Sequence, residues 1–272
     1  MRVDPKEELK SLFGTDKYVI GMVHLLPLPG SPLSTGQMAD VLKRAVGDAQ
    51  ALAAGGIDGL IVENFGDAPF SKGRVRAHTV SAMTLAVEAV REVVDVPVGV
   101  NVLRNDSMSA LAIASTTGAQ FIRVNVHTGA MITDQGMIEG RAHDTVRYRK
   151  ELGTSTRIFA DVLVKHAAPL GNQSVEQAAR DTVHRGLADA IIVTGGETGQ
   201  PADMDDVSRA KEAVPDFPVL VGSGVHEGNV TQLLAIADGV IVGTSLKEGG
   251  VTTNPVDKAR VAAFMTLVKQ LR

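Results

Sequence analysis

Two rhythms of apolar residues alternate along the chain. Short runs rich in Val and Ile recur at 18–24, 59–63, 97–102, 121–126, 158–164, 190–193, 218–221 and 239–242. Runs this short and this continuously apolar read as strands buried on both faces. Between them the apolar positions shift to helical spacing. Met38, Val41, Leu42, Ala45, Ala49 and Leu52 share one helix face, which Gly55-Gly56 ends. Val80, Met83, Val87, Val90 and Val94 share another, and 107–117 forms a third helix. Ser174 opens a helix with Gln177 completing a capping box, and Asp203, Asp205 and Asp206 suit the positive end of the next. Val230, Leu233, Leu234 and Ala237 predict a helix filling the interval from Gly224 to Ala237. Asn254 caps the last helix, with Pro255 at its first position and Phe264, Leu267, Val268 and Leu271 inward. At the N-terminus, 4–13 predicts a short amphipathic helix plugging one end of the sheet. Only 128–153 breaks the pattern, reading as a Gly-rich loop followed by a polar helix near 141–152.

The unit repeats. Gly56-Ile-Asp-Gly-Leu-Ile-Val, Gly186-Leu-Ala-Asp-Ala-Ile-Ile-Val and Ala237-Asp-Gly-Val-Ile-Val each join a helix stop, an acidic turn and a strand. Strands alternating with helices imply a parallel sheet covered on its faces, and eight such units close a barrel. The expected fold is α/β, a (β/α)₈ TIM barrel, in one domain over residues 1–272. A doubly wound open sheet is the alternative, but it leaves the last two strands unexplained. Both end in small-residue turns, Gly222-Ser223-Gly224 and Gly243-Thr244-Ser245. Loops after the seventh and eighth strands of such barrels commonly grip phosphate, because glycine lets backbone N–H groups approach and hydroxyls add donors.

Composition narrows the function. The 272 residues include no Cys, which removes disulfides, thiolate metal sites and thiol nucleophiles. A net charge of −4, aromatic content of 3% and no Trp argue against nucleic-acid binding. No apolar run reaches membrane-spanning length, and the start Met-Arg-Val-Asp-Pro-Lys-Glu-Glu lacks a signal-peptide core, so a soluble cytoplasmic protein is expected. Apolar positions on the last helix leave room for homo-oligomer formation.

Polar residues gather where the strands end: His24, Glu63 with Asn64, Asn101 with Arg104, Asn125 with His127, Asp161 with Lys165 and His166, and Thr194 with Gly195. A ring of carboxylates, imidazoles, amides and a lysine at one end of a barrel is costly without a ligand. Glu63, Asp161 and Lys165 are the candidates for proton transfer. Lys165 could instead form a Schiff base, which requires a pKa well below its usual value of about 10.4. The even spacing of Asp161 and Lys165 suits a coupled pair on one strand face. His24 and His127 suit acid–base work, and Asn101 and His127 suit orienting a substrate or stabilising enediolate-like charge. Asn64, Arg104, Asn125, Thr194 and Gly195 are candidate substrate contacts, while Arg123 reads as a buried structural partner. Mg²⁺ held by Glu63 and Asp161 is an alternative without any recognisable ligand spacing behind it. His78, His143 and His184 fall on or near helices, in solvent or packing roles.

Four long segments carry a family resemblance: Gly21-Met-Val-His-Leu-Leu-Pro-Leu-Pro-Gly-Ser-Pro, Val62-Glu-Asn-Phe-Gly-Asp-Ala-Pro-Phe, Gly99-Val-Asn-Val-Leu-Arg-Asn-Asp and Phe121-Ile-Arg-Val-Asn-Val-His-Thr-Gly-Ala. Val164-Lys-His, Ile192-Val-Thr-Gly, Gly222-Ser-Gly-Val and Ile241-Val-Gly-Thr-Ser-Leu-Lys extend it over nearly the whole chain. In these the chain resembles the BtpA/SgcQ family. The resemblance implies a TIM barrel of the ribulose-phosphate-binding type. It also implies two functional expectations: a photosystem I biogenesis role, as in cyanobacterial members, and a sugar-metabolism enzyme, as in bacterial relatives. The residues favour an enzyme acting on a small phosphorylated sugar or related metabolite, an isomerase, epimerase or aldolase working next to a carbonyl. The rival is a non-catalytic assembly factor that keeps the anion site.

Overall fold

The computed structural model of the protein describes residues 4–164, 166–195 and 201–272. In chain order the elements are α1 (Pro5–Phe13), β1 (Tyr18–His24), α2 (Met38–Ala54), β2 (Gly59–Glu63), α3 (Ala77–Arg91), β3 (Val98–Asn101), α4 (Ser107–Thr117) and β4 (Phe121–Val124). A hairpin of β5 (Ala130–Thr133) and β6 (Gly136–Glu139) follows, then α5 (Ala142–Glu151), β7 (Arg157–Val162) and the short β8 (Ala167–Pro169). The chain ends through α6 (Val175–Arg180), β9 (Ala190–Val193), α7 (Met204–Ala213), β10 (Val219–Val221), α8 (Val230–Ile236), β11 (Gly239–Val242) and α9 (Lys258–Lys269).

β1, β2, β3, β4, β7, β9, β10 and β11 pair in that order, and β11 returns to β1 to close the barrel. The strand pairs are parallel, with Ile20 opposite both Gly59 and Ile241. The fold is therefore a (β/α)₈ barrel. Its side chains alternate in two shells. Val19, Val23, Leu60, Val62, Val100 and Ile122 point outward into the large apolar layer under the helices. Ile20, Met22, Ile61, Phe121, Phe159, Ile192, Leu220 and Ile241 point inward and fill the barrel with Leu9 and Phe13 of α1.

The end at which the strands begin is sealed by rings. Asp4 accepts a hydrogen bond from Lys6 N–H at 2.9 Å, so α1 starts where the sequence predicts. Its Phe13 stacks on Tyr18 with centroids 4.5 Å apart, Phe121 stacks on Phe159 at 4.6 Å, and Phe13 meets Phe121 edge-on at 5.8 Å. Gly99 makes this possible, since a Cβ there would sit 2.2 Å from Phe121 Cε2.

Four expectations need correction. The Gly-rich stretch after β4 is not a loop: β5, β6 and β8 form a separate antiparallel sheet with Ile132 opposite both Met137 and Ala168. α8 does not begin at the glycine turn. It starts at Val230, and 225–229 is a loop in which Asn229 Nδ2 donates to Gly224 O at 2.9 Å. Asn254 does not cap the last helix. Val256 N–H instead donates to the buried Asp48 carboxylate at 2.8 Å, so the chain stays extended there, and Asp257 caps α9 by accepting from Ala259 N–H at 2.8 Å. At Ser174 only half the capping box forms: Gln177 N–H donates to Ser174 Oγ at 3.3 Å, while Gln177 Oε1 accepts from Arg180 instead. Among the described residues, no helix is long and apolar enough to cross a membrane.

Candidate active site

Strand periodicity decides which groups reach the open end. Moving two residues along each barrel strand replaces an apolar core position with a polar or glycine one: Met22 gives way to His24, Ile61 to Glu63, Gly99 to Asn101, Phe121 to Arg123, Phe159 to Asp161 and Ile241 to Gly243. These polar positions form one layer above the core.

The two glycine turns meet. Gly222, Ser223 and Gly224 line a cavity of about 140 Å³ together with Gly243, Thr244 and Ser245, and His24, Glu63 and Arg123 reach into it. Ser245 Oγ donates to Val225 O at 2.7 Å, stitching one turn to the other. Ser223 Oγ accepts from Gly195 N–H at 2.7 Å and keeps its own proton to donate. Gly224 is left-handed at φ 64°, and neither its N–H nor that of Val225 donates to a protein acceptor among the described residues. A clamp behind the second turn fixes it. Lys247, fully buried, donates to Asp48 of α2 at 3.0 Å, and Arg44 donates to the same carboxylate oxygen at 3.2 Å. Burial pulls the Lys247 pKa down, partly opposed by Asp48. α8 starts too late to aim its N-terminus at this cavity, so the anion-binding character rests on the loop N–H groups and hydroxyls.

A second, larger chamber of about 480 Å³ adjoins the first, since Glu63, Phe65 and Arg123 line both. Its far wall holds Arg104, Asn125, Asp134, Gln135 and His166, and its apolar side holds Ala68, Phe70 and Leu103. The peptides Ala68–Pro69 and Leu103–Arg104 are cis. Gly66 locks the loop that carries Phe65, because a Cβ there would lie 2.4 Å from Pro27 N. Phe65 in turn stacks on His24 with centroids 4.6 Å apart.

Glu63 is central to both chambers. It is 6% exposed, and its Oε1 lies 3.7 Å from His24 Nε2. Arg123 donates to Asp161 through Nε at 2.9 Å and Nη2 at 3.0 Å. Burial pulls the Arg123 pKa down, but Asp161 and, less strongly, Glu63 outweigh it and leave it raised. Burial also lowers the Arg104 pKa, against the pull of Asp161, Glu63 and Asp134.

Several expected roles change with this geometry. Asp161 spends both oxygens on Arg123 and accepts a third hydrogen bond from Asn125 Nδ2 at 3.0 Å, and it lines neither chamber. It anchors Arg123 rather than standing ready to move a proton. The same enclosure means that the Glu63 and Asp161 pair does not fit an Mg²⁺ site, and no cluster of three metal-ligating side chains exists among the described residues. Asn64 faces outward, as the residue after an inward Glu63 must. It bridges loops, donating to Asp67 at 3.0 Å and accepting from Leu103 N–H at 2.7 Å. Asn101 lies beneath the chambers, donating to Asn125 Oδ1 at 3.1 Å. His127 lies beyond the end of β4, where strand alternation no longer holds. Its Nε2 is 2.8 Å from Gly186 O, and it lines neither chamber. Burial lowers the His127 pKa, partly opposed by Gly186. Gly195 supports Ser223, and Thr194 packs near Gly222. Lys165 lies outside the described residues.

Residues that sequence reasoning missed come from the second sheet. Asp134 and Gln135 form the tip of the β5–β6 hairpin, and they enter the larger chamber. The available signal was Ala-Met-Ile-Thr, Asp-Gln, then Gly-Met-Ile-Glu, two short strand-like runs around a two-residue turn.

Comparison with known proteins places this architecture in a lineage. A model of the BtpA family matches residues 15–270. The chain belongs to the BtpA family. Within that family it is 54% identical over 258 residues to the photosystem I biogenesis protein BtpA of Synechocystis sp., covering 95% of this chain and 90% of that one. It is 36% identical over 267 residues to the sgc region protein SgcQ of Escherichia coli, covering 97% and 98%. Among solved structures, N-(5'-phosphoribosyl)anthranilate isomerase from Pyrococcus furiosus matches the BtpA-family barrel with a TM-score of 0.56 at 15% identity, over 93% of this chain and 99% of that one. At that identity the likeness is one of fold.

Proposed function

We propose that this BtpA-family barrel is a cytoplasmic enzyme acting on a small phosphorylated sugar or related metabolite, by proton transfer next to a carbonyl. One observation carries the reading: both C-terminal glycine turns and the Glu63 carboxylate open into the same cavity. The phosphate sits on the N–H groups of Gly224, Val225, Thr244 and Ser245 and on the Ser223 hydroxyl. Glu63 takes the proton from the carbon beside the carbonyl and returns it to the neighbouring carbon, completing an isomerisation. Arg123, held by Asp161, stabilises the negative charge that develops on the substrate oxygen. His24, adjacent to Glu63, suits the matching proton transfer at that oxygen.

Thermal unfolding in the presence of a panel of sugar phosphates tests the binding half. A ligand at 100 times its Kd adds about 2.7 kcal/mol of stability. Stabilisation by phosphorylated members and not by their dephosphorylated forms is the expected result. The catalytic half predicts exchange of the proton beside the carbonyl with D₂O, read by NMR and lost in Glu63→Gln.

A second reading is favoured by the 54% identity to a protein named for photosystem I biogenesis. In that reading the barrel is a non-catalytic assembly factor. A chain that no phosphorylated compound stabilises would support it over the enzyme.

A further inference from the structure

The larger chamber exceeds what a free sugar phosphate needs. With phosphate at the glycine turns, the carbons at Glu63 enter a chamber of about 480 Å³ beside a phosphate cavity of about 140 Å³. Its chemistry is specific. Phe65, Phe70 and Leu103 give it an apolar, ring-bearing side, the kind of surface that buries a flat group.

Two polar features on the rest of its lining point to what that flat group carries. Gln135 Oε1 is buried without a hydrogen-bond partner among the described residues. Nε2 donates to Asp134 Oδ2 at 2.5 Å, which leaves the oxygen as an acceptor that a ligand donor would satisfy. Arg104, 5% exposed, brings a desolvated guanidinium to the same chamber and matches a planar carboxylate two-pronged. The Arg104 N–H is tied to Ser71 O at 3.1 Å, which couples it to the loop carrying Phe70.

We infer that the substrate is a sugar phosphate bearing a planar, acid-substituted nitrogen ring: the ring lies against Phe65 and Phe70, a ring N–H meets Gln135, and the acid meets Arg104. The inference rests on the phosphate reading above and names the rest of the molecule.

Isothermal titration of the full chain with three probes separates the parts. Ribose 5-phosphate carries the phosphate alone, uridine 5'-phosphate adds a ring with an N–H, and orotidine 5'-phosphate adds a carboxylate to that ring. The expected order is a gain of about ten-fold in affinity for the ring and about ten-fold more for the carboxylate. Phe70→Ala removes the first gain and Arg104→Gln the second. Equal affinity for all three probes overturns the ring and acid inference while leaving the phosphate site standing. Failure of all three, and of inorganic phosphate, to bind at millimolar concentration overturns both. Should Arg104→Gln fail to fold, the probe series on the unaltered chain still decides.

Discussion

The two ends of this barrel are built from the same strands, one pleat apart, and they obey opposite rules. At the closed end, inward positions hold Tyr18, Phe121 and Phe159, and Phe13 of α1 covers them. Four of the nine Phe and Tyr residues of the chain sit in this plug. At the open end the equivalent positions hold His24, Glu63, Asn101, Arg123 and Asp161, all buried and largely bonded to each other. The first end gains free energy from the apolar surface it hides, and the Tyr18 hydroxyl is buried there without a hydrogen-bond partner among the described residues. The second hides groups that cost free energy unless each finds a partner. The contrast teaches that function in this barrel is a two-residue displacement along strands whose purpose elsewhere is packing.

That contrast can be broken by substitution. Phe159→Ala should lower stability by about 3–5 kcal/mol in urea unfolding yet leave phosphate-ligand affinity unchanged well below the transition. Loss of affinity there would mean the two ends are not separable. Asp161→Ala should cost a similar amount, about 3–5 kcal/mol, although it lies at the open end, because it leaves Arg123 buried without its carboxylate. An effect under about 1 kcal/mol would show that Asp161 is not the anchor the hydrogen bonds describe. Gly66→Ala should cost about 1–3 kcal/mol, since its Cβ meets backbone rather than a movable side chain. It should also weaken ligand binding by displacing Phe65. Glu63→Gln should change stability by about 1 kcal/mol at most while slowing carbon-bound proton exchange by about 10²–10⁴-fold, the sharpest separation of function from fold.

The smallest expected effect sharpens the same comparison through pH. Burial lowers the His127 pKa, so the folded chain holds the ring neutral. Above its ordinary value of about 6.5 both folded and unfolded forms are neutral and no stability is lost. As pH falls through that value the unfolded chain takes the proton first, and stability declines. Urea midpoints at about pH 7.5 and about pH 5 should therefore differ less in His127→Gln than in the parent chain.

Much of this was legible in the sequence. Eight apolar runs separated by helical stretches are a count, and a count with the right connections leaves a barrel as the compact way to bury every strand. Local chemistry placed α1, α4 and α7 correctly, because Asp4, Asp106 and Asp203 each satisfy a first-turn N–H. Local chemistry failed at Asn254-Pro255. That pair looks like a helix start, yet a carboxylate from α2, distant in sequence, claims Val256 N–H first. It failed again at 130–139, where Asp134-Gln135 lacks the glycine pair that usually announces a tight hairpin.

The sequence by itself determined the barrel, the pairing of the last two glycine turns and the polar layer above the core, since strand alternation and strand count are local properties that add up along the chain. Only the tertiary structure decided which polar groups face a ligand. It turned Asn64 outward to hold loops, took His127 to the Gly186 carbonyl, closed Asp161 over Arg123 and brought the Asp134–Gln135 tip into the larger chamber. Those outcomes depend on which distant group wins each donor or acceptor once water is expelled, and no spacing along the chain encodes that competition.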